Sequence, residues 1–244
     1  MKKSLLALAV VAALVPSLAM AEAGDIVVRL RATHIAPDES SKLGAQTDAT
    51  YTAGTTAAAV YGSNTAELRV DSNTIPEIDF SYYITKNIAA ELILAVGTEH
   101  DVSVTGTGGV LAGNRGLGSV NLLPPTLTLQ WHFNPDQTID PYLGAGLSYV
   151  RAMDRSLTAH TTLGDLPIHI ERNSFGPAIQ AGVDYNLENK WLINLDVKKI
   201  WFGTDVSLDP TAVAGTAGLT AGWKKIDSLD VDPWVVSVGF GKKF

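Results

Sequence analysis

The sequence predicts an all-β protein, an eight-stranded antiparallel transmembrane β-barrel with short periplasmic turns and long extracellular loops. Three observations carry this prediction. Eight segments alternate between apolar and small or polar residues, the connections between them alternate between short and long, and aromatic residues collect near the short connections. An even number of alternating segments with loops sorted by length is typical of outer-membrane barrels.

The eighth segment, from Trp234 to Phe244, shows the alternation most clearly. Its large apolar residues share one parity, whereas Gly, Ser and Lys dominate the other. Successive strand side chains point to opposite faces, so the segment has one apolar face and one small or polar face. The apolar face suits lipid and the small face suits a crowded barrel interior.

The seven earlier segments follow the same rule, with mostly small, polar or charged residues between their apolar positions. In chain order these apolar positions are Val28, Leu30, Ala32; Ile78, Phe80, Tyr82; Leu92, Leu94, Val96; Leu127, Leu129, Trp131, Phe133; Leu143, Ala145, Leu147, Tyr149; Phe175, Ile179, Ala181, Val183, Tyr185; and Trp191, Ile193, Leu195, Val197. We therefore predict eight strands whose outward parity is apolar.

The connections support the same arrangement independently. Three are short and rich in turn-forming residues, at 85–87, 134–138 and 186–190, and four are long, near 35–73, 97–121, 151–173 and 204–231. Strict alternation places the short turns at one rim and the long loops at the other. Aromatic residues near the short-turn rim predict a periplasmic girdle at headgroup level, formed by Tyr82, Trp131, Phe133, Tyr185, Trp191 and Phe244.

The N-terminus predicts export. Lys2 and Lys3 precede an apolar run from Leu5 to Val15, and Ala19-Met20-Ala21 forms a cleavage site of the A-x-A type. The run is shorter than the ~20 residues of a spanning helix, so residues 1–21 are predicted to be a cleaved signal peptide rather than an anchor. Residues 22–244 are then a single barrel domain, located in the bacterial outer membrane.

Composition excludes several classes of protein. The formal net charge is −7 and no basic patch interrupts the sequence, so no nucleic-acid partner is predicted. The chain has no Cys, which excludes disulfides, thiol catalysis and Cys-zinc sites. No cofactor is predicted.

The inward parity collects charge. Three cations and five carboxylates share it: Arg29, Arg31, Lys198, Glu77, Asp79, Glu91, Asp184 and Asp196. An eight-stranded barrel is only wide enough for side chains to fill it or for one small ligand, and buried charges need partners. We predict a salt-bridge network that plugs the periplasmic half of the lumen. Either it only packs the interior, or it also forces a ligand to leave sideways.

The outer half of the lumen is less charged. Small and apolar residues predict a dry passage there, lined by Ile93, Ala95, Gly144, Gly146, Ala178 and Ile200. Pro124 and Pro125 remove two successive backbone donors at the start of the fourth strand. A local gap in the wall at these two prolines is the hypothesis for a lateral exit.

The chain resembles the OmpW family of small outer-membrane barrels. The motifs, in order, are Leu123-Pro124-Pro125-Thr126 with Trp131, Pro141 to Gly146, Gly182-Val183-Asp184-Tyr185, Trp191 with Asn194, and Asp232-Pro233-Trp234. The resemblance covers about Gly24 to Phe244. It implies a narrow, largely apolar passage and uptake of small hydrophobic molecules, with outer-membrane lipid and the barrel-assembly machinery (through the C-terminal strand) as further partners. Two departures are Lys242, where the family often has an aromatic residue, and Lys198-Lys199, where it tends to have bulky apolar ones.

Three alternatives to a hydrophobic channel remain at this point. A narrow ion pore and a receptor barrel whose loops bind partners are both compatible with the sequence. An enzyme is disfavoured, because none of the five histidines has a Ser two residues on, as a lipid deacylase would. These histidines are His34, His100, His132, His160 and His169. No metal site is predicted.

Overall fold

The computed structural model describes residues 22–51, 56–95, 98–106, 108–211 and 220–244. The predicted signal peptide, Val96 and most of the segment from 211 to 222 lie outside these residues. The strands are β1 (Ile26–Ala36), β2 (Leu68–Val70), β3 (Asn73–Tyr83), β4 (Ile88–Ala95), β5 (Thr98–Val104), β6 (Gly116–Leu123), β7 (Thr126–His132), β8 (Ile139–Asp154), β9 (Ser156–Thr161), β10 (Gly164–Ile170), β11 (Asn173–Asn186), β12 (Trp191–Ile200), β13 (Gly203–Leu208), β14 (Lys224–Asp230) and β15 (Trp234–Lys243).

Eight of these strands form a closed antiparallel barrel, in the order β1-β3-β4-β7-β8-β11-β12-β15. Strand β15 pairs with β12 on one side and with β1 on the other. The β1–β15 pairing runs from Val27 opposite Lys243 to Ala36 opposite Trp234. Closure leaves no free barrel edge, as a lipid environment requires. The predicted eight-stranded barrel is therefore confirmed, and its strands are the eight that the alternation predicted.

The apolar parity of the barrel faces outward. Leu147 and Phe175 are 65% and 73% exposed, and the predicted girdle residues are also exposed. Tyr82 pairs with Ile26, Trp131 with Ile88 and Tyr185 with Ile139, so these rings lie at the short-turn end of the barrel. In the described part of the chain, no helix has the length and apolar character needed to cross a membrane.

The long connections are largely structured in the described residues. Above the barrel they form the seven remaining strands and two helices, α1 (Leu43–Thr50) and α2 (Thr56–Tyr61). This extracellular cap has its own apolar core, which includes Leu43, Val60, Leu68, Val102, Leu117, Leu157, Leu166, Val206, Leu208 and Ile226. Each segment buries little apolar area by itself. Packed against one another, the segments bury a shared apolar core, and this burial stabilises the cap.

A stacked pair in the cap predicts a pH response. The ring of His169 lies 3.9 Å from that of Trp223, with 13° between their planes. Partial desolvation, with the charge of Arg155 nearby, lowers the pKa of His169 below its ordinary value of 6.5. Because an imidazolium quenches indole fluorescence better than neutral imidazole, we expect the fluorescence of Trp223 to decrease on acidification with a midpoint below pH 6.5. The difference titration of wild type and His169→Gln measures this, and a midpoint above 6.5 would contradict it.

Candidate lumen site and wall gap

Two arginines on β1 organise the charged part of the lumen. Each lies directly opposite an acid on β3: Arg29 faces Asp79 and Arg31 faces Glu77. Arg29 bonds Asp79 at 3.1 Å, and Arg31 contacts Glu77 at 3.2 Å and Asp79 at 3.0 Å. Arg31 also bonds Glu91 on β4 at 2.7 Å. Cross-strand opposition on one face is the sheet geometry that brings these charges together.

The opposite wall completes the network. Arg29 reaches across the lumen to Asp184 on β11 at 2.6 Å, and Lys198 bonds Asp196 at 2.5 Å on β12. All eight charged residues predicted for the network are brought together, with between 0% and 5% of their surface exposed. Side chains rather than solvent therefore occupy the lumen at this level.

Neutral residues that the sequence reading did not select add hydrogen bonds to the network. The Tyr142 hydroxyl donates to Asp196 at 2.8 Å, Asn194 donates to Asp184 at 2.7 Å, and Gln180 donates to Glu91 at 2.9 Å. These three residues have the inward parity of their strands, and this parity is the sequence feature that could have identified them as lumen residues. These bonds offset part of the desolvation cost of burying the charges.

Glycines on β15 make room for the arginines. A Cβ atom added at Gly241 would lie 2.7 Å from Cγ of Arg29 and 2.9 Å from the carbonyl oxygen of Val28. We expect Gly241→Val to destabilise the barrel by about 1–3 kcal/mol through overpacking. Urea unfolding in lipid vesicles measures this. Gly116→Val is the matched control, because a Cβ there meets nothing within 4 Å. Equal stability of the two variants would contradict the conclusion that Gly241 makes room for Arg29.

An apolar cavity of about 60 Å³ lies directly above the charged network. Ile93, Ala95 and Ile200 from the predicted passage line it, and Glu77 and Lys198 form its polar floor. His100, which falls in the long connection predicted near 97–121, also lines it; this side chain is buried on β5, with Nδ1 2.7 Å from the carbonyl oxygen of Asp71. An engineered cavity that holds benzene measures about 150 Å³, so the passage is closed in this conformation.

Three residues predicted for the passage do not line this cavity. A Cβ atom at Gly144 would lie 2.8 Å from Cγ of Gln180, and one at Gly146 would collide with the backbone of β7. These glycines make room for neighbouring protein atoms rather than for a ligand. Ala178 packs against Ile200 and Val235 beside the cavity.

Among the described residues, backbone pairing between β4 and β7 ends beside the cavity. Strands β4 and β7 pair as far as Ile93 opposite Thr126. Pairing resumes between β5 and β6, at Thr98 opposite Leu122, with the register shifted by one residue. Among the described residues, which omit 96–97, no backbone pair joins Leu94 or Ala95 to residues 123–125.

The interruption is confined to the β4 side. Pro124 and Pro125 have no N–H to donate. The carbonyl of Pro125 nevertheless accepts a bond from the N–H of Tyr149 at 2.9 Å, so β7 stays attached to β8. Ala95, Pro124 and Thr126 all line the cavity, which places the interruption at its side wall.

A second apolar cavity, of about 50 Å³, lies above the first inside the cap. The two share five lining residues: Val70, Leu122, Val150, Phe202 and Val231. Phe202 is the largest of these. Its backbone N–H donates to Asp232 at 2.9 Å, and its carbonyl accepts from the N–H of Val231 at 2.9 Å, so its backbone is held in place beside both cavities.

One group of side chains has the spacing of a metal site. His132, Asp140 and Asp184 offer ligand atoms within 4.8 Å of one another near the short-turn end. Their atoms are already engaged, since His132 bonds Asp140 at 2.7 Å and Asp184 bonds both Arg29 and Asn194. We read this cluster as part of the ion network.

A closed barrel with an apolar exterior, a paired ionic interior and a folded cap at one end defines an outer-membrane β-barrel protein. The OmpW family model matches residues 22–244, and the chain belongs to that family. Outer membrane protein W of Vibrio cholerae is 31% identical over 249 residues, which span 100% of both chains. The chain is an outer-membrane protein.

Two further comparisons agree. The crystal structure of outer membrane protein OprG from Pseudomonas aeruginosa superposes with a TM-score of 0.73 at 27% identity, covering 92% of this chain and 97% of that one. A relative from Pseudomonas aeruginosa, named dibenzothiophene metabolism operon protein PahQ, is 26% identical over 174 residues (71% of this chain and 72% of the relative).

Proposed function

We propose that this protein allows small apolar molecules to diffuse across the outer membrane, with a sideways exit into the bilayer. The observation that carries the proposal is the apolar cavity between an ion-paired floor and an interrupted wall. A molecule enters through the cap, passes Phe202 and reaches this cavity. It then leaves between β4 and β7, beside Ala95 and Pro124.

The floor supplies the reason for a sideways exit. The charges of the network below Glu77 and Lys198 are buried and ion-paired, so a solute that continued downward would have to separate several buried ion pairs. Removing one partner of a buried pair costs about 3–5 kcal/mol, whereas displacing unpaired wall residues breaks no ladder bond. The lateral route is therefore the easier one.

The lining selects the class of solute. Most of its side chains are aliphatic or aromatic, and few polar groups are available to replace the hydration shell of an ion. The name of the dibenzothiophene-operon relative fits an apolar cargo. Transport here is passive diffusion without a cofactor, and we assign to β15 recognition by the barrel-assembly machinery.

A reversible crosslink tests the exit. Continuing the β4–β7 register by two residues would bring Ala95 opposite Pro124, and a disulfide between these positions, which needs a Cα separation of ~4.4–6.8 Å, would hold the two edges of the wall together. Because the chain has no Cys, the double variant Ala95→Cys/Pro124→Cys forms only this bond. We expect oxidation to reduce uptake of an apolar solute by liposomes at least about tenfold and reduction to restore it, a loss of 1.4 kcal/mol or more.

The two single variants are the controls, since each changes the wall chemistry without closing it. Disulfide formation is checked by mass. Unchanged uptake by the oxidised protein would reject the lateral exit. Salt leakage equal to apolar uptake in wild type would instead favour a plain ion pore.

A further inference from the structure

Two arginines at the top of the barrel have no acidic partner. Arg151 on β8 and Arg172, just before β11, are both exposed, and in the described part of the chain neither forms an ion pair, even with the sequence neighbours Asp154 and Glu171. Lys199, a cation on the outward parity of β12, is by contrast bonded to Asp38 at 3.0 Å and to the carbonyl of Asp232 at 2.6 Å.

Their height in the membrane follows from the strands. From Ile139, at the periplasmic girdle, to Tyr149 is ten residues along β8. At ~3.4 Å per residue and a tilt of ~40°, this corresponds to about 26 Å, close to the ~25 Å apolar band of outer-membrane barrels. Tyr149 therefore marks the outer edge of that band, and Arg151, two residues further on the same face, lies at the headgroup level of the outer leaflet.

The surroundings of Arg151 combine polar donors with an apolar shelf. The Tyr149 hydroxyl donates to Oδ1 of Asn173 at 2.7 Å, and Arg151 lies directly opposite Asn173. The Nδ2 group of Asn173 has no protein partner in the described residues. Below them, Tyr149 packs on Phe175 with ring centroids 4.8 Å apart.

Arg172 joins the same site through the backbone. Its carbonyl accepts from the N–H of Ala152 at 2.8 Å, so Arg172 lies across the strand pair from the neighbour of Arg151. Arg172 therefore lies at the height of Arg151, next to Asn173 in the chain, and its side chain is exposed at the rim. Guanidinium groups bind phosphate through paired N–H donors.

We propose that this surface binds the phosphorylated headgroup of a glycolipid in the outer leaflet. Arg151 and Arg172 hold the phosphate, Asn173 donates to it or to a sugar hydroxyl, and acyl chains lie on Phe175, Leu147 and Ile179, which are exposed. The occupant is a lipid rather than a soluble anion because the cations stand directly above a lipid-facing apolar shelf. This site is separate from the transport path.

Native mass spectrometry of the full chain in detergent, titrated with diphosphoryl lipid A, tests the proposal. We expect Arg151→Gln/Arg172→Gln to weaken binding at least about tenfold, as for the loss of charge-assisted bonds. Binding of the same lipid with its phosphates removed should be weak and equal in both proteins. Arg115→Gln is the control, because Arg115 is also exposed and forms no ion pair in the described residues, but lies in the cap.

Several outcomes would overturn the proposal. One is wild-type affinity of the double variant for diphosphoryl lipid A. Another is an equal loss in Arg115→Gln, which would indicate a general charge effect. Competition by millimolar inorganic phosphate would assign the site to a free anion. Correct folding of each variant is checked by its heat-modifiable electrophoretic mobility, so that loss of binding is not loss of the barrel.

Discussion

Replacing Arg29 with Met is expected to destabilise the folded barrel by about 3–5 kcal/mol, the range for breaking a buried ion pair. Arg29 is fully buried and bonds both Asp79 and Asp184, with Glu91 at 3.5 Å. Methionine fills much of the same volume but supplies no donor. Asp184 would then keep its bond from Asn194 but lose its cation.

Urea unfolding in lipid vesicles, followed by tryptophan fluorescence, measures this loss. Arg115→Met removes the same charge from an exposed residue without an ion pair in the described residues, and it should change stability by less than about 0.5 kcal/mol. Adding Asp184→Leu to Arg29→Met should recover part of the loss, because the stranded carboxylate is removed. Unfolding of Arg29→Met at the wild-type urea concentration would mean that the network does not stabilise the barrel.

The barrel and its charged interior could be predicted because both follow from a period of two. Once Trp234 and Val236 are assigned to lipid, every second residue of the strand is assigned to the lumen. The same parity placed Arg29, Glu77 and Asp184 inside. Which inward charges pair with one another depends on the register of neighbouring strands. The short turns fix that register, but it cannot be read from the sequence alone.

The cap could not be predicted in the same way. Its core joins Leu43, Leu111, Leu166 and Ile226, which come from segments far apart in the chain. Each segment has a weak local pattern, and only long-range packing gives it structure. The space beside Gly144 could not be predicted for a related reason, because the sequence does not show that the side chain of Gln180 occupies it.

The transport proposal makes Phe202 the barrier between the two apolar cavities. Its ring must rotate for a solute to pass, and moving a side chain off its preferred rotamer costs roughly 0.5–1.5 kcal/mol. Replacing the ring with a methyl group should remove this cost. The ion network below should be unchanged, because its bonds are formed by other side chains and Phe202 bonds only through its backbone.

We therefore expect Phe202→Ala to raise apolar uptake by liposomes about two- to tenfold, while salt conductance stays at the wild-type level. Phe202→Trp should slow uptake, because the larger ring fills the constriction. Phe175→Ala is the control for removal of an aromatic ring, since Phe175 faces lipid and lines neither cavity. A parallel rise in salt conductance would show that water and ions follow the same path, and the ionic floor would then not be a seal. Unchanged uptake in both Phe202 variants would place the rate-limiting barrier elsewhere, at the wall beside Pro124.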